Sequence, residues 1–209
     1  MKKPIVSLCL LLLLAACQSE QHYAIEAPPS FPVTTPPPTQ RGTAQPPRVK
    51  PSMPNYAGTA GPLTQAGVGR YMDGMEQDLR RILRGTPVAR PGDTLALELH
   101  GDALFEKGSV LSDDGRELLG ALAAALRHYD RTTIRVNGYT DTRGTPDQAI
   151  KTTQKRADAV AAELRADGVD PRRIAATGLG SARLKKATGD GVSEPRNRRI
   201  EIRIVPKPG

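Results

Sequence analysis

Cysteine is nearly absent. The two cysteines in the chain, Cys9 and Cys17, both fall in its first 17 residues, and none occurs in the remaining 192. The body of the chain therefore has no disulfide framework and no thiol to serve as a nucleophile. Tryptophan is missing, and the aromatics amount to two phenylalanines and five tyrosines. That argues against stacking platforms for single-stranded nucleic acid. The three histidines, His22, His100 and His128, are far apart, with no pair at metal-ligand spacing. No G-x-S-x-G occurs, and Gly178-Leu179-Gly180 lacks the third glycine of a dinucleotide-binding turn. Adjacent acids such as Asp113-Asp114 stand at a predicted helix start, where capping accounts for them. Nothing in the sequence requires an enzyme, a cofactor or a metal.

What is present begins with MKKPIVSLCLLLLLAACQS. Lys2 and Lys3 precede an apolar run, Ile5 to Leu14, that is too short for a comfortable membrane span. Small residues follow and then Cys17, the arrangement of a secretory signal. Leu14-Ala15-Ala16-Cys17 resembles the lipobox of bacterial lipoproteins. The resemblance implies cleavage after residue 16 and a lipid on Cys17. Gln18 is not the Asp that commonly retains such proteins at the inner membrane, so the expected address is the outer membrane, facing the periplasm. Without residues 1–16 the chain keeps 28 basic against 22 acidic residues, a net +6. For an exported chain the natural anionic partners are cell wall or lipid headgroups rather than nucleic acid.

Residues 17–66 read as the lipidated cysteine and a proline-rich linker. APPSFPVTTPPPTQ and QPPRVKPSMP hold too few large apolar residues for a core. About 50 residues in polyproline II would reach about 150 Å, enough to act as a spacer. Residues 67–92 read as an amphipathic helix and lead-in. Met72, Met75, Leu79, Ile82 and Leu83 recur at helical spacing over 69–84, and Gly85 is a fitting stop. Such a stripe packs on its own domain more often than it docks a partner.

Residues 93–209 read as one domain. Leu95, Leu97 and Leu99 alternate with small or polar residues as in a half-buried strand, as do Ile200, Ile202 and Ile204. Ile134 and Val136 mark a strand ending at Gly138, and Ile174 to Thr177 a short one. Helices are predicted over 115–129 and 146–167, the latter stopped by Gly168. The order βαβαββ predicts an α/β two-layer sandwich, two helices on one face of a four-stranded mixed sheet.

One loop stands out in this pattern. GYTDTRG, residues 138–144, sets Asp141 between a strand and the long helix. An Asp in a turn most often bonds its own backbone; the other reading is that it holds a cation. Fifteen residues on, Arg156 falls at the border of the apolar stripe formed by Ala149, Thr153, Ala157, Val160, Ala161 and Leu164. Spacing alone does not join the two residues.

VNGYTDTRG, KRADAVAAEL, GVDPRRI, GLG and NRRIEI, in that order, resemble the OmpA-like C-terminal domain. That domain is shared by OmpA, the peptidoglycan-associated lipoprotein and the flagellar stator protein MotB. The likeness runs from about Leu95 to Val205, and GRYMDGMEQDLRRIL resembles the lead-in of YiaD-type lipoproteins. The family implies non-covalent binding of peptidoglycan through the diaminopimelate of its stem peptide. Its loop aspartate falls on Asp141 and its helical arginine on Arg156, with Thr140, Thr142 and Phe105 around them. A carboxylate suits the ammonium of diaminopimelate, and a guanidinium fork suits its carboxylate. The chain departs from the family pattern at Ala149 (usually Asn), Thr152-Thr153 (usually Leu-Ser), Leu184 (usually Pro) and Glu194-Pro195, and FEKGSVLS is one residue short. Asn197-Arg198-Arg199 reads as structural, joining the last strand to its neighbours. A second reading of the same domain is engagement of a periplasmic protein partner.

Overall fold

The computed structural model describes residues 63–207; Cys17, the signal segment and the linker up to residue 62 lie outside the described residues. Helix α1 spans Gln65–Ile82, followed by strand β1, Val88–Ala89, and β2, Leu95–His100. A single turn of helix, α2 (Gly101–Leu104), leads into the hairpin β3 (Phe105–Lys107) and β4 (Val110–Leu111). Then come α3 (Asp113–His128), β5 (Thr132–Tyr139), α4 (Pro146–Ala166), β6 (Ile174–Gly178) and β7 (Arg199–Pro206). The main sheet is mixed, in the order β1-β2-β7-β5-β6, with β5 and β6 parallel and every other pair antiparallel.

Alternation explains the sheet. Leu95, Leu97 and Leu99, Ile134 and Val136, and Ile200, Ile202 and Ile204 all point to one face and are buried. Their neighbours Arg135 and Arg203 point the other way and are exposed. The helices cover the apolar face with Leu119, Leu122 and Leu126 from α3 and Ala157, Val160 and Leu164 from α4, in one continuous core. Helix ends follow local chemistry. Ser112 Oγ accepts the Gly115 N–H at 3.0 Å to start α3. Thr145 and Gln148 form a reciprocal capping box at α4, with Pro146 in its first turn. Gly168, at φ +87°, turns the chain out of α4.

Three features differ from the sequence expectation. The sheet has five strands, because β1 adds to the edge of β2, and a separate two-stranded hairpin stands beside it. Two- and three-residue strands are too short to show a period of two, so neither β1 nor the hairpin was visible in the alternation. Helix α1 begins at Gln65, four residues before the predicted start, and Leu63 is already buried, so the fold begins within the segment read as linker. Met72, Met75 and Leu79 of α1 are completely buried in the same core, and Tyr129, the residue just after α3, donates its hydroxyl to the buried Asp78 carboxylate at 2.8 Å. The stripe packs on its own domain.

Two glycines fix how α4 meets the sheet. A Cβ on Gly138 would lie 2.5 Å from the Thr153 carbonyl oxygen, and one on Gly178 would lie 2.2 Å from the Gln154 nitrogen. Only glycine lets β5 and β6 approach the helix so closely. The contact is then pinned by hydrogen bonds. Gln154 Oε1 accepts the Gly178 N–H at 2.7 Å, and the buried Thr153 Oγ1 accepts the Gly180 N–H at 3.0 Å. Arg156 follows one turn later on the same helix.

Candidate functional site

Asp141 lies two residues beyond β5 and is only 4% exposed. Its Oδ2 accepts Arg198 Nη1 at 2.7 Å, the Glu194 N–H at 3.3 Å and, at 3.5 Å, the Ser193 hydroxyl. Among the described residues its Oδ1 accepts only the Arg143 N–H, at 3.3 Å. The turn bond expected of an Asp here is thus present, but it is the weaker part of the carboxylate's surroundings. A buried carboxylate needs such compensation.

Arg198, just before β7, joins two carboxylates. Besides Asp141 it holds Asp102 of α2 through a two-pronged pair, Nε to Oδ1 at 2.9 Å and Nη2 to Oδ2 at 2.5 Å. The bond from Arg198 holds the Asp102 carboxyl below its ordinary range. Conversely Asp102, and after it Asp141, raises the already high pKa of Arg198. The Gly101 N–H donates to the Arg198 carbonyl at 2.7 Å, which locks α2 against this segment.

Arg156 comes to the same place from α4. Its Nε donates to the Gly108 carbonyl in the β3–β4 turn at 2.7 Å, and its guanidinium carbon sits 5.2 Å from the centre of the buried Phe105 ring. Gly108, at φ +61°, makes the turn that presents this carbonyl. Burial lowers the pKa of Arg156, and Asp102, Arg198 and Asp141 are all near enough to act on it by charge. Among the described residues no acceptor engages its Nη1 or Nη2, and it forms no ion pair. The site thus contains a half-buried guanidinium with two free prongs, beside a carboxylate with one lightly used oxygen.

The sequence-predicted residues separate into two groups. Arg156 packs on Phe105, and Asp141 is near enough to act on Arg156 by charge. Thr140 and Thr142 serve the frame: the Thr140 N–H donates to the Gly180 carbonyl at 2.9 Å, and Thr142 Oγ1 donates to the Gly189 carbonyl at 2.7 Å while accepting the Val192 N–H at 3.1 Å. Thr142 thereby holds the 188–194 loop against Asp141. The run Asn197-Arg198-Arg199, expected to be structural, makes its contacts within the fold. Asn197 is fully buried and bridges the Lys186 backbone at 2.8 and 2.9 Å, and Arg199 stacks 4.1 Å over Tyr139, so both are structural. Arg198 is also held within the fold, by Asp102 and Asp141, and so borders the Asp141 loop. Asp102 carried no periodic or motif signal, and only the fold brings it in.

These groups can grip but have little to react with. An ammonium fits the lightly used Oδ1 of Asp141, and a carboxylate fits the two free prongs of Arg156. Among the described residues no group of His, Cys, Asp and Glu is arranged to hold a metal. Likewise, none of their helices is long and apolar enough to cross a membrane.

A mixed sheet covered by helices on one face, with this loop and helix meeting at its edge, defines an OmpA-like domain. Residues 104–198 match the OmpA family, a non-enzymatic family, so this part of the chain is an OmpA-like domain. It is 38% identical to "Probable lipoprotein YiaD" of Escherichia coli (strain K12) over 143 residues, 67% of this chain and 65% of that protein. It is 34% identical over 100 residues to "Peptidoglycan-binding protein ArfA" of Mycobacterium tuberculosis (strain ATCC 25618 / H37Rv), 48% of this chain and 31% of that one. The chain therefore spans about two thirds or less of each of these relatives. Its fold is also that of a putative MotB-like protein from Desulfovibrio vulgaris, with a TM-score of 0.58 at 18% identity over 69% of this chain and 97% of that one.

Proposed function

We propose that this chain is an outer-membrane lipoprotein that grips peptidoglycan without bonding to it covalently. Cys17 carries the lipid, the domain faces the periplasm, and the protein tethers membrane to wall. Asp141 takes the ammonium of the stem-peptide diaminopimelate and Arg156 its carboxylate, with Phe105 fixing the arginine plane from below. Thr140 and Thr142 hold the loop that carries Asp141.

The observation that carries this reading is the pair of unengaged prongs on a half-buried Arg156 beside Asp141. Taking a guanidinium out of water without an anion is unfavourable, and an incoming carboxylate corrects it. The name of the ArfA relative supports the wall as ligand, and that of the YiaD relative supports the lipid. The test is co-sedimentation of the full chain with purified sacculi, with free meso-diaminopimelate as competitor. Binding that diaminopimelate displaces is the expected result; binding indifferent to it would move the function to a protein partner. Cys17→Ala is expected to abolish fatty-acid labelling and membrane retention, and equal labelling of the variant would refute the anchor.

A further inference from the structure

The face of the sheet turned away from α3 and α4 carries charge with no fold reason to be there. Arg135 of β5 and Arg203 of β7 are direct partners in the antiparallel ladder. Like charges placed opposite one another on a sheet destabilise it. Their outer neighbours in the same row are both alanines, Ala175 beyond Arg135 and Ala96 beyond Arg203. Two long cations flanked by two small residues make a trough rather than a packed surface.

A third cation leans in from the 181–186 loop. Arg183 is the one non-glycine residue with positive φ among those described, at +57°. That backbone is costly for a long side chain. It is held because the Arg183 carbonyl accepts Arg199 Nη2 at 3.0 Å. Arg135, Arg183 and Arg203 together line a trough of about 530 Å³, with Ala175, Leu179 and Ala182 as its apolar wall. The nearby acids are already engaged. Glu201 Oε1 accepts Arg199 twice, at 3.0 and 2.8 Å, which leaves Arg203 only a loose 3.7 Å approach to Oε2. Glu98 is taken by Lys185 at 2.5 Å. No ion pair engages Arg135 or Arg183 among the described residues.

We propose that this trough is a second binding site, for a phosphate monoester or pyrophosphate group. Three guanidinium groups with almost no counter-charge match a dianion with several oxygens; a single carboxylate would leave most of that charge unmet. The apolar wall accepts the small neutral body that bears the phosphate. The site lies on the opposite face of the sheet from Arg156 and does not rest on the peptidoglycan reading. The phosphate can belong to a soluble molecule or to a lipid headgroup, and the two sources differ in how they compete.

The test is isothermal titration of the full chain, in neutral detergent micelles, with inorganic pyrophosphate at constant ionic strength. Wild type binds saturably. Arg135→Gln and Arg203→Gln each weaken binding by about tenfold or more, the loss of one charge-assisted contact. Arg84→Gln, an equal charge change at an exposed residue after α1, leaves it unchanged. Relief of the cross-strand repulsion also raises the low-salt melting temperature of Arg135→Gln. Micelles doped with phosphatidic acid lower the apparent pyrophosphate affinity if the natural source is a headgroup, and leave it alone if the source is soluble. Absence of saturable binding, or equal losses in Arg84→Gln and Arg135→Gln, overturns the site. So does a lower melting temperature in Arg135→Gln with unchanged affinity, which would make the arginine pair structural.

Discussion

Replacing Arg156 by lysine separates gripping from folding more cleanly than any change at Asp141. Among the described residues Arg156 makes one hydrogen bond, from Nε to the Gly108 carbonyl, and one ring contact with Phe105. Lysine keeps the charge and much of the ring contact, so the loss to stability is that of one hydrogen bond, about 1 kcal/mol. Lysine cannot reproduce the planar fork. If the free prongs receive the diaminopimelate carboxylate, the variant loses a charge-assisted contact worth about 1.5–3 kcal/mol, or about ten- to a hundredfold in affinity. The assay is equilibrium titration with two muropeptides that differ only in the third residue of the stem, diaminopimelate or lysine. Lysine has the ammonium but lacks the carboxylate. Wild type therefore prefers the diaminopimelate form by about the same ten- to hundredfold, and Arg156→Lys binds both alike. Thermal melts supply the fold control. The reasoning is refuted if wild type does not distinguish the two ligands, or if the variant still does.

Two further outcomes test the fold. Met75→Ala opens a cavity under α1, where the side chain has no exposure, and is expected to cost about 2–5 kcal/mol by denaturant titration; a loss well below that range would make α1 an appendage. Asp102 and Glu76 both have pKa values held down in the fold, by the hydrogen bonds from Arg198 and from Arg80 and then Arg90. The folded state therefore binds fewer protons than the unfolded chain around pH 4. Their stabilisation is complete above the unfolded carboxylate values and is lost as pH falls through the lower folded ones. Melts from pH 7 to pH 3 are expected to show that loss, with a smaller slope in Asp102→Asn; an unchanged slope would show that the Arg198 pair stores no such energy.

The parts of the fold that were legible in sequence are those where one side chain in two, or one in three to four, must be apolar. The strands bearing Leu95 to Leu99, Ile134 and Val136, and Ile200 to Ile204, and the three long helices, all belong to this kind. Burial of a face imposes a period, and the period survives in the residues. The hairpin β3–β4 and strand β1 impose none. They are held by backbone pairing over two or three residues and, at Gly108, by a positive φ that any turn glycine provides. Yet that hairpin carries both the ring and the carbonyl that aim Arg156.

The site was half legible for a related reason. Asp141 and Arg156 were marked by a motif, but what surrounds Asp141 arrives from 39 residues before it and 57 after it, as Asp102 and Arg198. No local pattern encodes a contact across that distance. The turn role of Asp141 and the binding role proposed for it do not exclude one another. The Arg143 bond is a turn bond, the Arg198 bond neutralises a buried charge, and among the described residues Oδ1 accepts no other bond. Asp141→Asn would therefore weaken the domain as well as the grip, since Arg198 would face an amide in place of a carboxylate. A loss of sacculus binding in that variant would not by itself distinguish the two roles. Arg156, whose outer prongs hydrogen-bond to nothing among the described residues, is the residue at which a loss of binding points to the ligand.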